Sequence, residues 1–420
     1  ALRTAFGREG VSSEFQVRIA AVCGRIREPA SVAFLVEQMG ASDRSVRTQV
    51  LRALHLNEFR SEGVSIVDVR RLIREEVADI AWMLAALADV GEQKAVQLLR
   101  SALLRALEQG RERIFLLLSF LYDSTTVMRV KENLRHESSQ QRAYALEVLH
   151  TTVSRDLEMI LLPICESSDW TVGLAQLQPH FPQKRLLREE RLRAILSGQE
   201  LWMPPWVRMC SVRAISEMGD PGGLVNLALQ DKSTLVRETA ALALFRVDPE
   251  AFAKAAPTLR DDRSMIRAVE KIERWQEGGR TMLLTVEKVM ILRSIRIFEG
   301  IPEDVLANLA EHITEVEIPA GEHVYEKGGM GRTMYVVVEG KLRVHDGAGT
   351  TFVYLGERDL FGELTTLDPE PHAATVSAEE DASLLGLDRD VLYELMSDHP
   401  EVLRGIIKVL IQRLRGKRQD

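Results

Sequence analysis

Two short segments near the C-terminus carry the residue types best suited to holding a ligand: Phe361-Gly362-Glu363-Leu364 and Pro371-His372-Ala373-Ala374-Thr375. Gly362 has no Cβ, so the backbone there can approach a bound group closely. A helix starting after it offers unpaired N–H groups, which suit an anion. Glu363 brings a carboxylate that accepts hydrogen bonds, and His372 brings a side chain whose charge changes near neutral pH.

Bond-breaking chemistry has no comparable footing. No nucleophile stands beside a base, H-E-x-x-H and C-x-x-C are absent, and Gly328-Gly329-Met330-Gly331-Arg332-Thr333 lacks the lysine of a P-loop. The chain is expected not to be an enzyme and to need neither metal nor resident cofactor. Cys23, Cys165 and Cys210 are odd in number, far apart and set among apolar residues, so they read as core filler in a reducing compartment. The longest apolar run, Ile114 to Tyr122, is interrupted by Ser119 and is too short to cross a bilayer.

Charge argues against a nucleic-acid surface. From residue 281 onward there are 15 Lys+Arg against 25 Asp+Glu, and the remainder of the chain is close to neutral. The basic stretch Arg413 to Arg418 reads as a charged chain end, and the chain closes at Asp420 soon after its last helix. No DNA partner is expected.

The elements that position the two segments follow from punctuation and periodicity. From Thr314 to Leu387 the chain runs in short β-branched stretches broken at Gly321, Gly328-Gly329, Gly331, Gly340 and Gly347-Ala348-Gly349. It is helical again from Arg389. Before these strands comes a helical stretch with a turn at Glu299 to Pro302, and Glu277-Gly278-Gly279-Arg280 is the strongest linker signal in the chain.

That order of elements, with Gly321, Tyr325, Gly328, Gly331, Tyr335 and Gly340 at matching spacing, resembles the cyclic-nucleotide-binding domain family. The stretch from Phe361 through Thr375 is similar to that family's phosphate-binding cassette. The resemblance implies that Glu363 accepts the ribose 2′-hydroxyl and that Ala373 and Ala374 keep the wall small and supply a backbone donor. It also implies that Thr375 sits at the purine end, with cyclic AMP or cyclic GMP as ligand. One position departs: the family has P-R-A-A-T, and here His372 replaces the arginine that grips the phosphate. Losing that bidentate contact costs about 2–5 kcal/mol, and histidine is mostly neutral at pH 7. Three readings stay open. The site binds a cyclic nucleotide weakly or at low pH, it binds another ligand, or it is kept only for packing.

The first part of the chain reads as repeats. Val46, Val50, Ala53 and Leu54 form one helix face, and the same template recurs at Val77, Ala81, Leu84 and Ala85 and at Val236, Ala240, Ala243 and Leu244. The recurrence is close to thirty residues, enough for two helices and their turns. Asp231 to Arg237 and Pro204 to Arg208 resemble HEAT repeats. Arg47, Arg208, Arg237 and Arg267, one after each anchor, are expected to pair with acids of the following repeat rather than form a ligand ladder.

The expected fold class is therefore multidomain. An all-α HEAT-like solenoid covers 1–277, a linker or hinge helix 278–298, and an α+β cyclic-nucleotide-binding β-roll with C-terminal helices 299–420. The combination is similar to bacterial proteins that place these two parts after a nucleotide-transporter-like membrane region. It implies a cytoplasmic regulatory region whose solenoid meets a protein partner or an attached membrane domain. The alternative is a ligand-independent interaction scaffold.

Overall fold

The computed structural model describes residues 2–8, 11–136, 138–165, 170–220, 223–276, 283–298, 301, 303–348, 350–368, 370–398, 402–403, 405–408 and 411. The linker signal Glu277 to Arg280 and the basic stretch Arg413 to Arg418 lie outside the described residues. The chain divides into two compact units, Ala1–Gln230 and Asp231–Asp420.

Regular structure in the first unit is helical among the described residues. Its helix starts are written in the sequence. Asp43 caps Arg44–Leu56 by accepting from the Ser45 and Val46 N–H groups, and Asp123 caps Ser124–Leu134 through Thr126. The apolar template positions Val46, Val50, Ala53 and Leu54 are buried, as are Val77, Ala81, Leu84 and Ala85. Two helices depart from the thirty-residue plan: α1 (Val64–Val90, 27 residues) and α2 (Gln97–Leu121, 25 residues) each run unbroken. Between Val64 and Val90 no glycine or proline interrupts the chain, and α1 stops only at Gly91, whose φ is 76°. Gly110 does fall within α2, where it allows close approach: a Cβ there would lie 3.2 Å from Ile80 of α1.

A buried ion cluster ties this pair to its neighbour. Glu76 of α1 is fully buried and receives Arg47 and Arg113, each at 2.8 Å, with Arg44 at 3.9 Å. Burial pushes the Glu76 carboxyl up, but the guanidiniums outweigh it and hold the group below its ordinary range. Arg47 thus pairs with an acid of the next helix. In the second unit Arg237 pairs instead with Asp262, in the turn before the helix Ile266–Gln276, at 2.8 Å.

The second unit opens with helices Thr234–Val247, Pro249–Arg260 and Ile266–Gln276, followed by α3 (Thr285–Ser294). Eight strands follow among the described residues: β1 (Thr314–Ile318), β2 (His323–Tyr325), β3 (Thr333–Glu339), β4 (Leu342–His345), β5 (Thr351–Leu355), β6 (Leu360–Phe361), β7 (Thr375–Ala378) and β8 (Ala382–Asp388). They form two four-stranded sheets, ordered β1-β8-β3-β6 and β2-β7-β4-β5, with every pairing antiparallel. Val337, Leu342, Leu355, Phe361, Val376 and Leu384 close a core between them. Each such side chain, fully buried, contributes about 1.5–3 kcal/mol.

Helix and strand meet at Glu315 on β1. Its carboxylate accepts from the Leu283 N–H at 2.6 Å and pairs with Lys288 of α3 at 2.9 Å. Lys288, itself buried, also donates to the Ile313 carbonyl at 3.0 Å. Lys271 stands 3.8 Å from the same carboxylate, and burial lowers its ammonium pKa.

Candidate functional site

Between β6 and β7 the chain forms the single-turn helix α4 (Glu363–Leu367), and after β8 it enters α5 (Arg389–Asp398). Gly362 is the N-cap of α4, with φ 79° in the left-handed region. A Cβ at this position would sit 2.8 Å from the Thr333 carbonyl, so glycine is needed both for its φ and for the approach to β3. Five residues carry little macrodipole. What α4 can offer a ligand is its unpaired N–H groups rather than a developed helix charge.

The sequence-expected residues divide by exposure. Phe361, Glu363, His372 and Thr375 are buried, whereas Leu364 is 60% exposed and Pro371 and Ala373 are also exposed. Ala374 is half-buried. A buried carboxylate at Glu363 requires polar company, and Glu363 has it. Thr375 accepts the Lys327 N–H through Oγ1 at 3.0 Å, which pins the start of β7 to the glycine loop after β2.

Aromatic rings bring the two segments together. Phe361 stacks on Tyr335, with centroids 5.3 Å apart, and approaches Tyr325 at 6.0 Å. Tyr325 also stacks on His372, whose ring lies parallel to it, 3.7 Å between centroids and 7° between planes. Backbone bonds hold that stack in place: Gly328 N–H donates to the His372 carbonyl and His372 N–H to the Gly329 carbonyl, both at 2.8 Å. Gly331 covers the outer edge of the ring, where any Cβ would collide with His372 Nε2.

His372 is therefore 6% exposed and packed as an aromatic ring. Burial pushes its pKa below the ordinary histidine value, which favours the neutral ring at pH 7. Its ring nitrogens make no hydrogen bond among the described residues. Two nearby arginines do not supply a charge to the stack. Arg332 is 59% exposed on its side chain and pairs with Asp390 at 2.6 Å, while Arg358 is exposed in a turn with φ 68°. Tyr325 is the functional neighbour that spacing alone did not single out as a partner for His372. The contact depends on the register that sets Tyr325 opposite Val376, across an irregularity in β2.

Two antiparallel sheets, a one-turn helix between the sixth and seventh strands and a helix after the eighth define a β-roll. Residues 315–399 match the family model for the cyclic nucleotide-binding domain, so the C-terminal part of this chain is a domain of that kind. The chain is 30% identical over 129 residues to the CRP-like cAMP-activated global transcriptional regulator of Mycobacterium tuberculosis, a match covering 30% of this chain and 58% of the regulator. It is 29% identical over 131 residues to a cyclic nucleotide-gated potassium channel of Rhizobium etli, covering 31% and 36% respectively. The chain thus spans about half or less of the length of these relatives. Among solved structures, the Thermus thermophilus catabolite activator protein is 28% identical over 30% of this chain and 60% of its own. At a TM-score of 0.28 that likeness adds nothing to the assignment.

Proposed function

We propose that this chain is a non-enzymatic regulatory region in which the β-roll takes a cyclic nucleotide and the helices before it carry the response to a partner. The supporting observation is the assembled cassette: Gly362 in its left-handed cap, Glu363 buried beside it, and the 371–375 arm held against the glycine loop. A cyclic nucleotide carries one negative charge beside a free 2′-hydroxyl. Glu363 accepts that hydroxyl in this reading, and backbone N–H groups of α4 and of Ala373 and Ala374 meet the phosphate. With His372 neutral, no side chain of the cassette balances that charge, so binding is weak at pH 7. The context we favour is a HEAT-like scaffold joined to a transporter-like membrane region.

The packed ring of His372 favours a second reading, a ligand-independent scaffold that keeps the β-roll for its shape. Thermal unfolding with millimolar cyclic AMP or cyclic GMP separates the two. Saturating ligand at 100 times its Kd stabilises the bound state by about 2.7 kcal/mol, a shift of a few degrees. The first reading expects such a shift in the parent chain and its loss in Glu363→Ala. No shift with either nucleotide in the parent supports the scaffold.

A further inference from the structure

The cassette helix α4 is too short to hold its own orientation, since one turn returns a single helical bond for the residues it fixes. The carbonyls from Leu364 to Leu367, and that of the capping Gly362, nonetheless all have partners. The Gly362 carbonyl accepts from the Thr366 N–H at 3.2 Å and from the Thr365 and Thr366 hydroxyls at 3.1 and 2.8 Å. The Leu364 carbonyl accepts from Asp368 N–H at 2.8 Å. The last three carbonyls of α4 find partners in α5. Arg389 Nε donates to Thr366 at 2.8 Å and Nη2 to Thr365, while the Tyr393 hydroxyl donates to Leu367 at 2.8 Å.

Arg389 reaches a third element as well. Its Nη2 donates to the Gly331 carbonyl at 3.3 Å, and its backbone N–H donates to the Arg332 carbonyl at 2.8 Å. Gly331 is the residue that covers the His372 ring. One guanidinium therefore joins the lid over His372, the C-terminal end of the cassette helix and the first turn of α5. A rigid planar fork fixes relative orientation in a way that a single flexible ammonium does not.

We propose that Arg389, assisted by Tyr393, is a positioning residue that makes α4 and α5 move as one body, so that any rearrangement at the cassette is passed to α5. The proposal rests on the ligand-site reading for its purpose, but the clamp is testable without ligand. Hydrogen exchange on the full chain, free of nucleotide, compares the parent with Arg389→Gln, Arg389→Lys and Tyr393→Phe. Loss of the fork should raise exchange about tenfold in 363–368 and in 389–398 together, leaving β1 and β8 unchanged. Lysine should restore only part of this protection, and Tyr393→Phe, a milder change, should loosen the same two segments to a smaller degree. Exchange that rises in one segment alone, or in neither, overturns the clamp. With cyclic AMP added, the parent should change protection in both segments and Arg389→Gln in 363–368 only. If nucleotide changes nothing in the parent while the ligand-free pattern holds, the ligand reading fails and the clamp stands. If protection passes undiminished to α5 in Arg389→Gln, the clamp fails and the ligand reading stands.

Discussion

Gly331→Ala asks whether the His372 ring is neutral because it is sealed. The new methyl group would occupy the space of His372 Nε2 and Cε1, so the ring must leave its 3.7 Å stack on Tyr325. Gly331 has no positive φ, so the backbone itself tolerates alanine and the cost is that of the displaced ring. Giving up the aromatic contact costs about 0.5–1.5 kcal/mol. The second consequence is electrostatic. In the parent chain burial depresses the His372 pKa, and each unit of depression corresponds to about 1.4 kcal/mol. The folded ring then holds its proton less tightly than the unfolded one. Stability must fall as pH drops below about 6.5 and level off once the folded ring protonates too. Following the ring C–H resonance by NMR from pH 8 to 4, with His372→Gln to assign it, should show a depressed pKa in the parent. Gly331→Ala should return it towards about 6.5 and remove that share of the acid loss of stability. An identical pKa in both proteins refutes the reasoning.

Other substitutions probe the scaffold. Gly362→Ala forces a left-handed φ of 79° on a residue with a Cβ and pushes that Cβ towards the Thr333 carbonyl; it should cost about 1–3 kcal/mol in urea unfolding and abolish any nucleotide response. Glu76→Gln removes the counter-charge of Arg47 and Arg113 inside the first unit and should destabilise it by about 3–5 kcal/mol in the same assay.

The β-roll was legible in the sequence because its signals are local. Glycines marked the breaks, β-branched runs marked the strands, and the strands indeed run from Thr314 to Asp388. The short helix α4 was legible as well, down to the glycine that caps it. Two things were not. The continuity of α1 was hidden because a thirty-residue template places an anchor at Val77 inside the helix without saying where a turn must fall. The role of His372 was hidden because residue type suggests a charge, whereas its environment is set by Tyr325 and Gly331, which are distant in sequence and meet it only through strand pairing. Arg389 escaped notice because its partners are main-chain carbonyls, which leave no mark on residue types.

The proposed site takes a cyclic nucleotide and is limited by the uncharged ring of His372. Calorimetric titration of the parent chain and His372→Arg with cyclic AMP and cyclic GMP at pH 7 tests it most directly. Restoring a bidentate charged contact worth about 2–5 kcal/mol should raise affinity at least about tenfold, even after the cost of breaking the Tyr325 stack. Weak heat in the parent and strong heat in the variant is the predicted result. Silence in both proteins with both nucleotides contradicts it.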